Sequence, residues 1–194
     1  LVGFVNLLEL VKSFSVQNFI YASSSSVYGG NTKLPYKETD PVNHPVSLYA
    51  ATTRSNEVIA HSYSHIYKIP STCLRFFTVY GPLGRPDMSP MIFADSILNS
   101  KPIKVFNYGK MSRDFTYSDD ISESIFRCSF KKAIPNTFFN SDEPDLSTAK
   151  APHIILNIGN SSPVKLLEFI EILENNLGIN EIKDFHQIQP ADVE

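Results

Sequence analysis

Tyr49 heads a stretch reading Y-A-A-T-T at 49–53, at the start of a segment with helical patterning. Residues four apart on a helix share a face, so the side chain at 53 stands beside this phenol. A phenol titrating near pH 10 is a poor base at neutral pH, given a reference value of about 10. A cation four residues on would lower it by roughly 1–3 units, which is about 1.4–4 kcal/mol of help toward a phenolate. The residue found there is Thr53, uncharged and short. Arg54 follows, but it lies about 100° further round the helix. Tyr49 is therefore open to two readings, a proton-transferring phenol and a plain aromatic at a helix start.

A second group is S-S-S-S-V-Y-G at 23–29, directly after a run of β-favouring residues. In parallel α/β sheets, ligands bind beyond the carboxyl ends of the strands. Ser24, Ser25 and Ser26 would present hydroxyls there, able to donate to or accept from a sugar oxygen or a carboxylate. The other reading is a serine-rich turn. Arg75 and F-T-V-Y-G-P at 77–82 close the next strand and place Thr78 similarly. Arg113, in R-D-F-T-Y-S-D-D, suits a phosphate, or a surface ion pair with a nearby Asp. Arg85 carries the same two readings. His61 and His65 are four apart with no third metal ligand evident, so a zinc site there is disfavoured.

The elements that would hold these groups alternate. Helical spacing covers Val2 to Phe14, a strand spans 18–23, and a long helix spans 47–67, stopped by Lys68 and Pro70. A strand follows at 71–80. This order favours a parallel sheet with crossover helices. Beyond Gly81 we expect a turn-rich loop, then a helix at 89–99, a strand near 103–106, a helix at 118–131 and a polar loop at 135–152. A strand at 154–159 and a helix at 163–178, with Pro163 at its start and Gly178 at its end, complete the pattern.

Composition narrows the function classes. The net charge of -3 gives no basic excess for nucleic acid, and no polybasic run suits a membrane surface. No apolar run reaches membrane-spanning length. The two cysteines, Cys73 and Cys128, suit a reducing compartment, so a cytoplasmic location is expected. The eight glycines form no G-x-G-x-x-G, the turn that cradles a dinucleotide pyrophosphate.

Taken in order, the motifs resemble the extended short-chain dehydrogenase/reductase family of NAD-dependent nucleotide-sugar epimerases and dehydratases, UDP-glucuronate 4-epimerase-like members above all. The resemblance rests on Y-A-S-S-S-S-V-Y-G at 21–29, H-P-V-S-L-Y-A-A-T at 44–52, L-R-F-F-T-V-Y-G-P at 74–82, G-R-P-D-M at 84–88 and V-F-N-Y-G-K-M-S-R-D-F-T-Y-S-D-D-I at 105–121. I-L-N-I-G-N at 155–160 and Q-P-A-D-V at 189–193 continue it. It implies a partial Rossmann-like parallel sheet with a smaller mixed α/β substrate domain. Residues 1–80 would form the carboxyl-side half of the NAD-binding domain, and 81–194 mostly the nucleotide-sugar domain, with strand 154–158 returning to the sheet.

The chemistry the resemblance implies is reversible oxidation at the sugar's carbon 4. A base takes the 4-hydroxyl proton, hydride passes to NAD, the 4-keto sugar turns over, and hydride returns to the other face. Tyr49 would be the base and Ser24 its partner on the 4-oxygen. Ser25, Ser26 and Thr78 would line the sugar pocket. Arg85 and Arg113 would meet the sugar or diphosphate, and Val105, Phe106, Asn107 and Tyr108 would pass the nucleotide base. Ala22, Ser23, Tyr49 and Phe77 would lie against the cofactor. Helices 1–14 and 47–67 would build a homodimer interface.

The chain departs from the family pattern at Thr53, where the family has a lysine that also holds the nicotinamide ribose. The amino-terminal βαβαβ half with its glycine loop is expected to be missing, the carboxyl end to be cut short, and strand 18–22 to show a bare edge. Two readings compete. One is an NAD-dependent C4 epimerase of a UDP-sugar, UDP-glucuronate favoured. The other is a catalytically inactive remnant that binds or dimerises. Dehydratase chemistry, which in this family uses an Asp-Glu pair at 25 and 26, is disfavoured by the serines there.

Overall fold

The structure, a computed structural model, describes residues 1–188. The Q-P-A-D-V stretch at 189–193 lies outside the described residues. In chain order the elements are α1 (Val2–Ser13), β1 (Phe19–Ser24), α2 (Leu48–Tyr67), β2 (Ser71–Phe76), β3 (Thr78–Tyr80), α3 (Ser89–Leu98), β4 (Ile103–Val105), β5 (Ser112–Tyr117), α4 (Ser118–Ser129), β6 (His153–Ile158), β7 (Pro163–Lys165), α5 (Leu166–Leu177) and β8 (Lys183–Phe185). They divide into two compact units. One comprises Leu1–Phe77 and Asp120–Ile158; the other comprises Thr78–Asp119 and the chain from Gly159. The sequence reading drew a single boundary at 80, with strand 154–158 returning. The contacts draw it at 77 and return α4 and the loop after it as well.

The first unit is built on a parallel sheet in the order β1-β2-β6. Strand alternation sends Phe19, Tyr21, Cys73 and Ile155 to one face, where they pack with Leu8 and Val11 of α1 and Ala60 of α2. Ile20, Ala22, Leu74 and Phe76 take the other face and line an open cleft with Ile125 and Ser129 of α4. β1 occupies one edge of the sheet.

Ser47 caps α2, its Oγ accepting from the Ala50 N–H at 3.1 Å. Lys68 ends that helix in the left-handed conformation. After β1, residues Ser25–Tyr28 form one 3-10 turn, closed by Gly29. Gly29 has φ +53°, and a Cβ there would lie 2.2 Å from the His44 carbonyl oxygen, so only glycine lets the two segments meet.

The second unit holds β3-β5-β7 and the pair β4-β8. Its core joins Phe93 and Ile97 of α3, Ile103 and Val105 of β4, Met111, and Leu166 and Ile170 of α5. Gly178 closes α5 at φ +69°.

Two expectations need correction, and two strands were not anticipated. The strand expected at 71–80 is two strands. β2 ends at Phe76, the Phe77 N–H donates to the Ile158 carbonyl at 3.2 Å, and Thr78 opens a new ladder with Phe115. Residues 112–117, met as a motif only, are strand β5. Pro163 is not a helix start: it lies in β7 opposite Asp114, at a sheet edge where its missing N–H costs no ladder bond. Strand β8, against β4, was not anticipated.

Candidate active site

In the first unit the end of β1 and the start of α2 carry the residues singled out in the sequence. Ser24 is half-buried, accepts from the Ser26 N–H at 3.2 Å and donates to Ser26 Oγ at 3.1 Å. The serine run is thus a turn braced by its own hydroxyls. The turn packs against α2. Tyr49 lies in the first turn of that helix, 61% exposed, and its phenol has no hydrogen-bond partner among the described residues. No hydrogen bond joins Tyr49 to Ser24, Ser25 or Ser26 among the described residues. The fold brings their elements together, with the Ser24 and Ser26 hydroxyls bonded within the turn and the Tyr49 phenol exposed.

Thr53 is half-buried one turn on, with nothing cationic in it to face the phenol. Arg54 does not take the lysine's place. Its guanidinium donates to Glu57 Oε2 at 2.8 Å, in the opposite sense along the helix.

That bond leads to a group the sequence reading missed. Glu57 and Arg75 are each 1% exposed. Arg75 Nε donates to Glu57 Oε1 and its Nη2 to Oε2, both at 2.9 Å, a bidentate pair. Ser23 Oγ donates to Glu57 Oε1 at 2.5 Å. Arg75 Nη1 donates to the Tyr28 hydroxyl at 3.0 Å, and the guanidinium lies 4.9 Å from that ring's centre. Tyr28 in turn donates to Asn157 Oδ1 at 2.7 Å. Burial alone would raise the Glu57 carboxyl; bonding and charge from Arg75, with Ser23 and Arg54, outweigh it and hold the group below its ordinary value. A signal was present: Ala50, Glu57 and Ala60 share the buried stripe of α2, and a carboxylate at a core position needs a cation.

The cofactor-side residues divide. Ala22 is exposed at the end of β1 on the cleft face, small enough for a ligand to approach the backbone. Ser23 faces the other way, its hydroxyl committed to Glu57. Phe77 packs against Val27, Tyr28 and Val42. Ala22 and Tyr49 are thus open to a ligand while Phe77 is packed on that cluster, and a pyrophosphate-cradling glycine turn is absent from the described residues. Deeper in the same unit, Tyr21 Oη lies 2.9 Å from His153 Nε2. Burial, with His61 beside it, pushes the His153 imidazole down to about 4.

In the second unit Thr78 opens β3, half-buried. Arg85 is exposed and pairs with Asp87 at 3.0 and 2.5 Å, the surface ion pair left open above. Arg113 sits half-buried on β5, Nη1 donating to the Ser112 carbonyl at 2.9 Å. Val105 is fully buried in the core, and its carbonyl accepts from the His186 N–H at 2.8 Å, so it offers a ligand little. Phe106 stacks at a tilt on His186, centroids 5.5 Å apart. Asn107 and Tyr108 both take positive φ, +48° and +50°, and Tyr108 is exposed. Among the described residues no His/Cys/Asp/Glu cluster could hold a metal ion, and no helix is long and apolar enough to cross a membrane.

Residues 1–138 match the profile of the NAD dependent epimerase/dehydratase family. The chain belongs to that family. It is 53% identical over 193 residues to the Protein CapI of Staphylococcus aureus, covering 100% of this chain and 58% of that one. It is 45% identical over 197 residues to a probable UDP-glucuronate 4-epimerase of Rhizobium meliloti, covering 100% and 57%. Among solved structures, the UDP-glucuronic acid 4-epimerase of Bacillus cereus in complex with UDP-glucuronic acid and NAD superposes with a TM-score of 0.80. It is 31% identical, with 97% of this chain and 55% of that chain covered. The chain thus spans a little over half the length of these relatives. The family likeness accounts for the parallel sheet and for the order of the motifs along it.

Proposed function

We propose that this chain carries the sugar-side chemistry of NAD-dependent C4 epimerisation of a UDP-sugar, UDP-glucuronate favoured. The observation that carries the reading is the pairing of elements in the first unit. The hydroxyl-bearing turn at 24–26 packs against the helix whose first turn presents an unpartnered Tyr49 phenol. In this reading Tyr49 takes the 4-hydroxyl proton, and Ser24 holds the 4-oxygen while it loses that proton. Within the first unit, Ser25 and Ser26 suit the remaining sugar oxygens or a uronate carboxylate. Arg113 suits the diphosphate, with Arg85 assisting, and Phe106 to Tyr108 suit the base. NAD, when bound, supplies the hydride acceptor and donor at carbon 4. Cys73 and Cys128, both free thiols, agree with a cytoplasmic setting.

One observation favours a second reading, a catalytically silent binding or dimerising module. Thr53 supplies no cation to Tyr49, and Arg54 is held on Glu57. The two readings separate in one experiment: UDP-glucuronate and NAD are added to the chain and the C4 epimer is followed by proton NMR. Turnover supports the epimerase. UDP-sugar binding without turnover supports the silent module. Absence of both contradicts the epimerase and the binding form of the module.

A further inference from the structure

The Glu57–Arg75 pair takes no part in proton or hydride transfer as proposed, yet it occupies the centre of the first unit. α2 buries Ala50, Glu57, Ala60 and Ser64 along one stripe. An apolar residue of like size at 57 would fill that space without desolvating a charge. What the carboxylate adds is connection. Oε1 accepts from Ser23 and Arg75, and Oε2 accepts from Arg75 and Arg54. Ser23 is the residue just before Ser24. Tyr28, bound and stacked by Arg75, is the last residue of the turn that follows. The serine turn is therefore gripped at its entrance by Glu57 and at its exit by Arg75. Glu57 itself belongs to the helix whose first turn carries Tyr49.

We propose that Glu57, backed by Arg75, is a positioning residue that locks the Ser24–Ser26 turn in register with the Tyr49 end of α2. Its meaning for catalysis rests on the proposed sugar-facing roles of Ser24 and Tyr49, but the coupling itself is testable without turnover. Ser23→Ala is the chosen variant, because it removes one hydroxyl and leaves the ion pair in place. Amide hydrogen exchange of the full chain is read by NMR. We expect exchange about tenfold faster, as for a local opening, at Ser26 and Gly29 and also at Ala50 and Ala51, which close the first turn of α2 on Ser47. Cys73 and Ile155, in mid-sheet, should stay within about twofold. Ser23→Thr, which restores the hydroxyl, should return protection at all four amides. Acceleration confined to the turn, no acceleration, or a uniform rise through the sheet overturns the proposal. Glu57→Gln should show the same pattern; if it fails to fold, Ser23→Ala decides alone. Calorimetry with UDP-glucuronate on the native sample keeps the two ideas apart. An absence of sugar binding there counts against the proposed function and leaves the exchange result standing.

Discussion

Thr53 is where this chain parts from the chemistry around it. The cation that would assist the Tyr49 phenol is missing, and the nearest guanidinium is tied to Glu57. Thr53→Lys would restore the ammonium to that face of α2, but no glycine turn among the described residues cradles the pyrophosphate of NAD. On the silent-module reading that single change restores no measurable epimerase turnover; turnover gained in the NMR assay would show Thr53 to be the sole defect. Glu57→Ala would strand the buried Arg75 charge and should cost about 3–5 kcal/mol in chemical denaturation. His153 gives a pH signature. Its folded value of about 4 lies below the free value near 6.5, so the unfolded chain binds more protons between them. Stability is then full above pH 6.5 and falls as pH drops, by about 2 kcal/mol between pH 7 and pH 5. His153→Gln should flatten that slope, and a slope unchanged by the substitution would count against a neutral buried imidazole. Tyr49 and the serines were readable because spacing and strand ends announce them. The stripe position of Glu57 announces only that a buried carboxylate needs a cation; that the cation is Arg75, 18 residues away, comes from the fold.

The elements were legible where periodicity is long. α1, α2, β1 and β6 came out within a residue or two of expectation. The errors fall where the chain changes sheets. Residues 71–80 read as one β-favouring run, and nothing local marks Phe77 as the point where one ladder stops and another starts. Pro163 satisfies the rule for a helix start as well as the rule for an edge strand, and pairing with Asp114 decides between them. The turn after β1 depends on Gly29, whose backbone approaches His44. Gly29→Ala should therefore destabilise the first unit by about 1–3 kcal/mol through positive-φ strain and contact, measurable as a lower denaturation midpoint. Ser47→Ala should cost about 1 kcal/mol by removing the α2 cap.

Across the chain, the two helices that carry the first unit's outer face leave apolar side chains in water. Leu7, Leu10 and Phe14 on and just after α1, with Leu48, Val58 and Ile66 on α2, are all exposed. Such a surface suits the homodimer expected from the resemblance. Leu10→Glu should shift sedimentation toward monomer by about tenfold or more in dissociation constant, and an unchanged profile would remove these helices from the interface. The epimerase reading requires a site for a UDP-sugar, and that is most directly tested by calorimetric titration of UDP-glucuronate into the chain. The account predicts saturable one-to-one binding, weakened about tenfold or more by Arg113→Ala, as loss of a charge-assisted phosphate contact requires. No binding at millimolar ligand, or equal binding by the Arg113→Ala chain, would contradict it.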